Sequence, residues 1–400
     1  MADEPRTTAG GLREVLCAFL KLGCTSFGGP IAHLGFFRQE FVEKRRWLDD
    51  AAFADLVALC QFLPGPASSQ VGLALGWKRA GYAGAVCAWL GFTLPSAILM
   101  LGFAYGIEQW HGFSQSGGVQ GLKIAAVAVV AQALWQMARR LCPDAPRIAI
   151  AVGAAVLLLL QSSGWMQLGV IAGGALMGLS LRSRMAETRP MITPAVFSRR
   201  AGLGWLAAFF ALLLFLPLAA QCWPAAWLKI ADGFYRAGAL VFGGGHVVLP
   251  LLERVTVGRG WLDRDTFLAG YGAAQALPGP LFTFAAFLGA TINLGPRGIG
   301  GGVLALFAIY LPSALLVFGV LPQWERLRRM PLAQALLAGA NAAVVGLLAA
   351  ALYSPIGTSA LTHPVNWLIA VMAFSGLIFG KLPPWLVVLA CALAGKILLF

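Results

Sequence analysis

Charge is what this sequence has least of. Only 11% of its 400 residues are Asp, Glu, Lys or Arg, against about 25% in a soluble globular protein. Histidine occurs four times. The seven cysteines (Cys17, Cys24, Cys60, Cys87, Cys142, Cys222 and Cys391) form no CxxC pair and share no spacing with His. That argues against a thiolate metal site and leaves each as a small buried hydrophobe. Enzyme signatures are missing too: there is no HExxH, no Walker loop, no GxSxG, and no GxGxxG followed by a ribose-binding acid. The glycine-rich run from Arg297 to Gly302 leads straight into an apolar span. No segment alternates at period two between turn signals, which excludes a β-barrel. The N-terminus, Met-Ala-Asp-Glu-Pro-Arg, lacks the pattern of a cleaved signal peptide.

What the chain has instead is hydrophobicity: 59% apolar residues and a mean hydropathy of +0.78. In lipid, every backbone polar group needs an internal partner, so a chain of this composition spans as helices. The net charge of +13 sits in short loops between apolar runs, where Lys and Arg set topology. No nucleic-acid partner is implied.

Two places break the apolar runs. Gln61-Phe-Leu-Pro64-Gly65-Pro66-Ala67-Ser68-Ser69-Gln70 cannot continue a helix, because Pro64 and Pro66 lack a donor and Gly65 opens angles other residues avoid. Broken backbone at membrane depth survives only where protein or water satisfies it. A helix restarting at Pro66 would aim the free N–H groups of Ala67, Ser68 and Ser69 into the break, an anion site in outline. The break recurs at Gln275-Ala-Leu-Pro278-Gly279-Pro280, followed by Leu281-Phe282-Thr283.

The recurrence extends over the chain. Phe19, Lys21, Gly23, Phe27, Gly28 and Gly29 match Phe234, Arg236, Gly238, Phe242, Gly243 and Gly244. Trp47-Leu48-Asp49 matches Trp261-Leu262-Asp263, Leu94-Pro95-Ser96-Ala97 matches Leu311-Pro312-Ser313-Ala314, and Gly121-Leu-Lys123 matches Gly339-Ala-Asn341. The offset stays between 214 and 218 residues, which marks an internal duplication, a known transporter plan. The expected organisation is an N-terminal repeat over 1–181, a cytoplasmic Arg-rich linker over 182–202, a connecting transmembrane helix over 203–221 and a C-terminal repeat over 222–400. With the linker inside, the basic loops of both halves fall inside only if that single helix flips the second copy. The expected fold is therefore an all-α polytopic membrane protein. Its two homologous halves lie in inverted orientation around one extra helix, with broken or re-entrant helices at the FGG and PGP motifs. Whether those segments cross or re-enter is open, giving thirteen spans or nine.

Charges inside apolar segments are candidate functional groups. Lys21 and Arg236 occupy matching positions six residues before Phe27-Gly28 and Phe242-Gly243, where cations could balance an anion. Gly28-Gly29 and Gly243-Gly244-Gly245 let a partner approach the backbone. Lys123, Asn341 and Asp55 are candidate coupling residues, and His33 and His246 could titrate. Asp49 or Asp50 could cap the helix before the first break.

At Gly23-Cys-Thr-Ser-Phe27-Gly28-Gly29-Pro30, Gln61-Phe-Leu-Pro64-Gly65-Pro66, Phe242-Gly243-Gly244-Gly245-His-Val-Val-Leu-Pro250 and the second PGP, the chain resembles the chromate ion transporter family in its two-domain, long-chain form. The resemblance covers nearly the whole chain. It implies export of chromate across a bacterial inner membrane, driven by the proton gradient, with sulfate as an analogue that competes or is carried. The partners expected are an oxyanion and the bilayer, with a homodimer left open and no cofactor. A passive anion channel would share the breaks and the basic residues. A membrane reductase would need a redox cofactor site, which the sequence does not offer. The second break departs from the first, since Leu281-Phe282-Thr283 replaces Ala67-Ser68-Ser69-Gln70.

Overall fold

The computed structural model describes residues 9–109, 117–161, 164–180, 198–223, 225–242, 247–327 and 330–398. Every regular element among them is helical. The first half holds α1 (Ala9–Thr25), α2 (Gly29–Phe37, continued by a wide turn over Arg38–Lys44), α3 (Asp50–Phe62), α4 (Ala67–Gln109), α5 (Gly117–Leu141), α6 (Ala145–Leu160) and α7 (Gly164–Gly178). The connecting helix is α8 (Arg199–Cys222). The second half holds α9 (Ala226–Ala239), α10 (Val248–Thr256), α11 (Arg264–Ala276), α12 (Phe284–Thr291), α13 (Gly298–Val320), the single turn α14 (Trp324–Leu327), α15 (Pro331–Ala351), the turn α16 (Thr358–Ala360), α17 (Pro364–Ile378) and α18 (Pro384–Leu398).

Among the described residues, five stretches are long and apolar enough to cross a membrane: Ala67–Gly106, Gly117–Leu141, Arg199–Cys222, Gly298–Gln323 and Pro331–Ala360. The first is not one rod. Ala80 and Gly81 leave helical angles, and a Cβ on Gly76 would overlap the Gly84 carbonyl. Eight residues of unbroken helix would hold those two about 12 Å apart. The chain therefore reverses at Ala80–Gly81, and 67–79 and 82–109 pack as two arms. The second half does the same: a Cβ on Gly289 of α12 would overlap the Gly301 carbonyl of α13. Each post-break helix is thus a short arm folded on the longer helix that follows it. The 67–79 arm rises roughly 20 Å, less than the hydrocarbon thickness of about 30 Å.

Helix starts repeat as well. Asp49 Oδ1 accepts from the Ala52 N–H at 2.7 Å, capping α3, and Asp263 Oδ1 accepts from the Thr266 N–H at 2.8 Å, capping α11. Each satisfies one of the free amides at a helix N-terminus.

The chain divides into two compact units, and neither is one sequence half. One unit comprises 1–106, 193–240 and 277–323; the other comprises 107–192, 241–276 and 324–400. In the second unit the halves are exchanged reciprocally: α5 packs on α17 and α18, while its counterpart α15 packs on α6 and α7. Glycine permits both crossings. A Cβ on Gly121 would overlap the Cys391 carbonyl, and one on Gly339 would overlap the Gly174 carbonyl. Gly121 matches Gly339 and Gly174 matches Cys391 in the repeat, so one contact is the image of the other.

Outward faces are apolar. On α8, Leu203, Phe210, Leu214, Phe215 and Leu218 are exposed and only Gly202 and Phe209 are buried. A face of that kind suits lipid rather than water. Cys60, Cys142 and Cys391 are buried as expected; Cys17, Cys24 and Cys222 lie on outward faces instead. Cys17 sits between Leu16 and Leu20, which are also exposed, so its surroundings stay apolar.

Candidate functional site

Both prolyl breaks fall in the first unit, and each packs against the other half. Gly65 is buried with φ +124°; a Cβ there would overlap Ser313 Oγ and lie 2.6 Å from Gln70 Nε2. Gly279 has φ +91°, and a Cβ there would lie 3.2 Å from the Ser96 Cβ and 3.3 Å from the carbonyls of Gly23 and Phe92. Ser96 and Ser313 are repeat counterparts, in Leu-Pro-Ser-Ala segments that sequence reading used only to establish the duplication. Only glycine adopts such angles without strain.

The two breaks then differ. At the second, the Gly279 N–H donates to the Ser26 carbonyl at 2.9 Å. Thr283 Oγ1 donates to the Pro280 carbonyl at 2.8 Å and lies 2.7 Å from Ser96 Oγ, which supplies the other hydrogen. Leu281 and Phe282 fill the rest. At the first break, Gln70 Nε2 donates to the Pro64 carbonyl at 2.7 Å. The first intrahelical bond runs from the Gln70 N–H to the Pro66 carbonyl, which leaves the amides of Ala67, Ser68 and Ser69 to face the break. Ser68 Oγ stands 3.4 Å from His33 Nδ1. Gln70 Oε1 and Ser313 Oγ are buried without a hydrogen-bond partner, and the hydroxyls of Ser69, Thr93 and Tyr310 are buried with no partner beyond one another. The Tyr310 hydroxyl faces those of Ser69 and Thr93. Gln70, Thr93, Tyr310 and Ser313 were not singled out from sequence. Their signal was a hydroxyl or amide inside an otherwise apolar run.

The duplicated cations are both paired. Lys21, exposed on α1, lies 3.2 Å from the buried Glu40, which also takes Arg45 at 2.9 Å. Burial pushes the Glu40 carboxyl up, but Arg45 and Lys21 outweigh it and hold it below the usual carboxylate range. Arg236 pairs with Asp232, one turn earlier on α9. Neither cation stands uncompensated.

In the first unit Phe27 is half-buried and Gly28 and Gly29 have φ +99° and +79°, Gly28 standing at the start of α2 without a side-chain cap. Asp55 is buried on α3. Phe242, half-buried, belongs to the second unit. Gly243, Gly244, Gly245 and His246 lie outside the described residues. In the second unit Lys123, 8% exposed, holds Asp265 at 2.9 Å, and Asn341 is half-buried on α15.

A helical bundle with outward apolar faces, a duplicated unit and interrupted helices at its polar centre defines a polytopic membrane transporter. The chain belongs to the chromate transporter family, which it matches over residues 13–179 and 228–396. It is 30% identical to a chromate transport protein of Pseudomonas aeruginosa, over 96% of this chain and 91% of that one. A probable chromate transport protein of Synechococcus elongatus is 27% identical, over 97% and 96% of the two chains. A chromate transport protein of Cupriavidus metallidurans is 26% identical, over 99% and 97%. No solved structure matches the chain.

Proposed function

We propose that this protein is a secondary active transporter that exports chromate from the bacterial cytoplasm across the inner membrane, driven by the proton gradient. The observation that carries the reading is the first prolyl break. Three helix-start amides and a group of buried hydroxyls meet there, in one unit built from both halves. Such donors can replace the hydration shell of a tetrahedral oxyanion, and a helix N-terminus favours negative charge. The halves are read as inverted copies, 1–181 and 222–400, with the linker in the cytoplasm. Pro64 to Ser69 form the binding break, and Pro278 to Thr283 form its supporting counterpart. Lys21 and Arg236 shape the local field through their carboxylate partners. Asp55, Lys123 with Asp265, and Asn341 are the groups assigned to coupling.

The test is chromate accumulation in chromate-sensitive bacteria expressing the protein. Lower accumulation is expected; unchanged accumulation with confirmed membrane insertion rejects chromate export. In everted vesicles, uphill uptake should stop when the proton gradient is collapsed. Flux that follows only the anion's own gradient would instead make the protein a passive channel, and sulfate uptake at the chromate rate would make it a general oxyanion carrier.

A further inference from the structure

The buried polar atoms around Gly65 are not all donors. Ser69, Thr93, Tyr310 and Ser313 each offer a hydroxyl, but Gln70 offers its carbonyl oxygen Oε1. All five residues are at most 3% exposed. The orientation of Gln70 is fixed by chemistry. The Pro64 carbonyl can only accept, so Nε2 must face it, and Oε1 faces away. A fully deprotonated oxyanion has no hydrogen for that oxygen, and placing it there would leave a buried acceptor unpaired beside negative charge. Nor, among the described residues, are the duplicated cations free to offset a second charge, since Lys21 and Arg236 already hold Glu40 and Asp232.

We propose that the cradle at the first break takes a tetrahedral oxyanion that still carries one proton. Its hydroxyl donates to Gln70 Oε1, and its remaining oxygens accept from the four hydroxyls and the 67–69 amides. The proposal rests on the transport function given above and narrows its substrate to the monoanion. It also separates two ions of similar shape by protonation rather than by size. Chromate takes up a proton near neutral pH, whereas sulfate does so only in strong acid. The titratable groups facing the cradle are His33 on α2, through Ser68, and Tyr310 itself. The other polar groups there, on Ser69, Gln70, Thr93 and Ser313, are neutral.

The experiment is equilibrium binding of chromate and of sulfate to the purified full-length protein, followed by calorimetry from mildly acidic to mildly alkaline pH. Chromate affinity should fall about tenfold per pH unit once chromate loses its proton, while sulfate stays weak and flat. Gln70→Met removes the acceptor and should flatten the slope and cut the preference for chromate over sulfate about tenfold. Tyr310→Phe keeps Gln70 and should weaken chromate about tenfold with the slope intact. If Gln70→Met does not fold, the wild-type series and Tyr310→Phe decide. The proposal is overturned, with chromate transport left standing, by pH-independent chromate binding, by sulfate binding as tightly as chromate, or by a sulfate slope parallel to chromate's. That last outcome would place the titration on His33 instead of the ligand. Failure to bind chromate at any pH removes this proposal and the transport reading together.

Discussion

The two prolyl breaks are copies of one sequence, yet one is closed and the other open. At Gly279 the break itself is bonded: the amide donates to the Ser26 carbonyl, and Thr283 joins Ser96 and the Pro280 carbonyl, although the Ser26 hydroxyl is buried without a partner. At Gly65 the equivalent hydroxyl pair, Ser69 and Ser313, is left unjoined. Buried polar groups without partners cost stability, so a fold that closes one copy and leaves the other open is retaining the open one for something else. The difference teaches how a duplicated transporter specialises: one copy becomes a structural clasp, and the other keeps its donors for a ligand.

The largest effect on transport should come from filling the two glycines. Gly65→Ala and Gly279→Ala both force a side chain into left-handed backbone, at about 1–2 kcal/mol each. At Gly65 the obstacle is two side-chain ends, Ser313 Oγ and Gln70 Nε2, which can swing away but thereby dismantle the site. At Gly279 it is a Cβ and two backbone carbonyls, which cannot. Gly65→Ala should therefore remain folded and lose more than tenfold in chromate transport, whereas Gly279→Ala should chiefly lower the yield of folded protein. Transport assays set against size-exclusion profiles decide it, and equal transport loss at equal yield would mean the breaks are functionally alike.

The duplicated cations come next. Arg236→Met strands Asp232, whose side chain is 4% exposed, and should cost about 3 kcal/mol, the usual penalty for an unpaired buried charge. Lys21→Met removes one of three cations around Glu40 from a side chain 56% exposed, and about 1 kcal/mol or less is expected. Thermal unfolding of both variants measures the gap. Because the Glu40 carboxyl is held low in the fold, its contribution is present above the unfolded carboxylate range. It should fade as pH falls through the folded value. A Glu40→Gln variant should lose that extra acid sensitivity.

Sequence alone carried the helical class, the duplication and the positions of the breaks, because proline, glycine and a near-constant offset leave marks that need no partner. The Asp232–Arg236 pair was also within reach, lying at helical spacing. Glu40 beside Lys21 and Asp265 beside Lys123 were not, since 19 and 142 residues separate the partners and only the fold brings them together. The open cradle was missed for a similar reason. Thr93, Tyr310 and Ser313 look like isolated polar residues in apolar helices until α4 and α13 meet the first break. Packing also cuts across the repeats: 241–276, ending two residues before the second PGP, belongs with the later helices, while its copy in the first half stays with the earlier ones.

Smaller effects test the clasp and the cradle separately. Ser96→Ala breaks the hydroxyl bond to Thr283 and should cost about 1 kcal/mol of stability with transport affinity retained. Ser313→Ala, at the matching position, removes a hydroxyl that has no protein partner, so stability should hold or rise while chromate affinity drops about tenfold. The smallest expected difference is at the helix caps. Asp49→Ala and Asp263→Ala remove the same N-terminal hydrogen bond from the two copies, and each should cost about 1 kcal/mol. Here the copies should behave alike, because both caps serve the start of a helix and not its end. If instead Asp49→Ala alone impaired transport, the divergence of the halves would begin at the entry to α3, and Gly65 would not be its source.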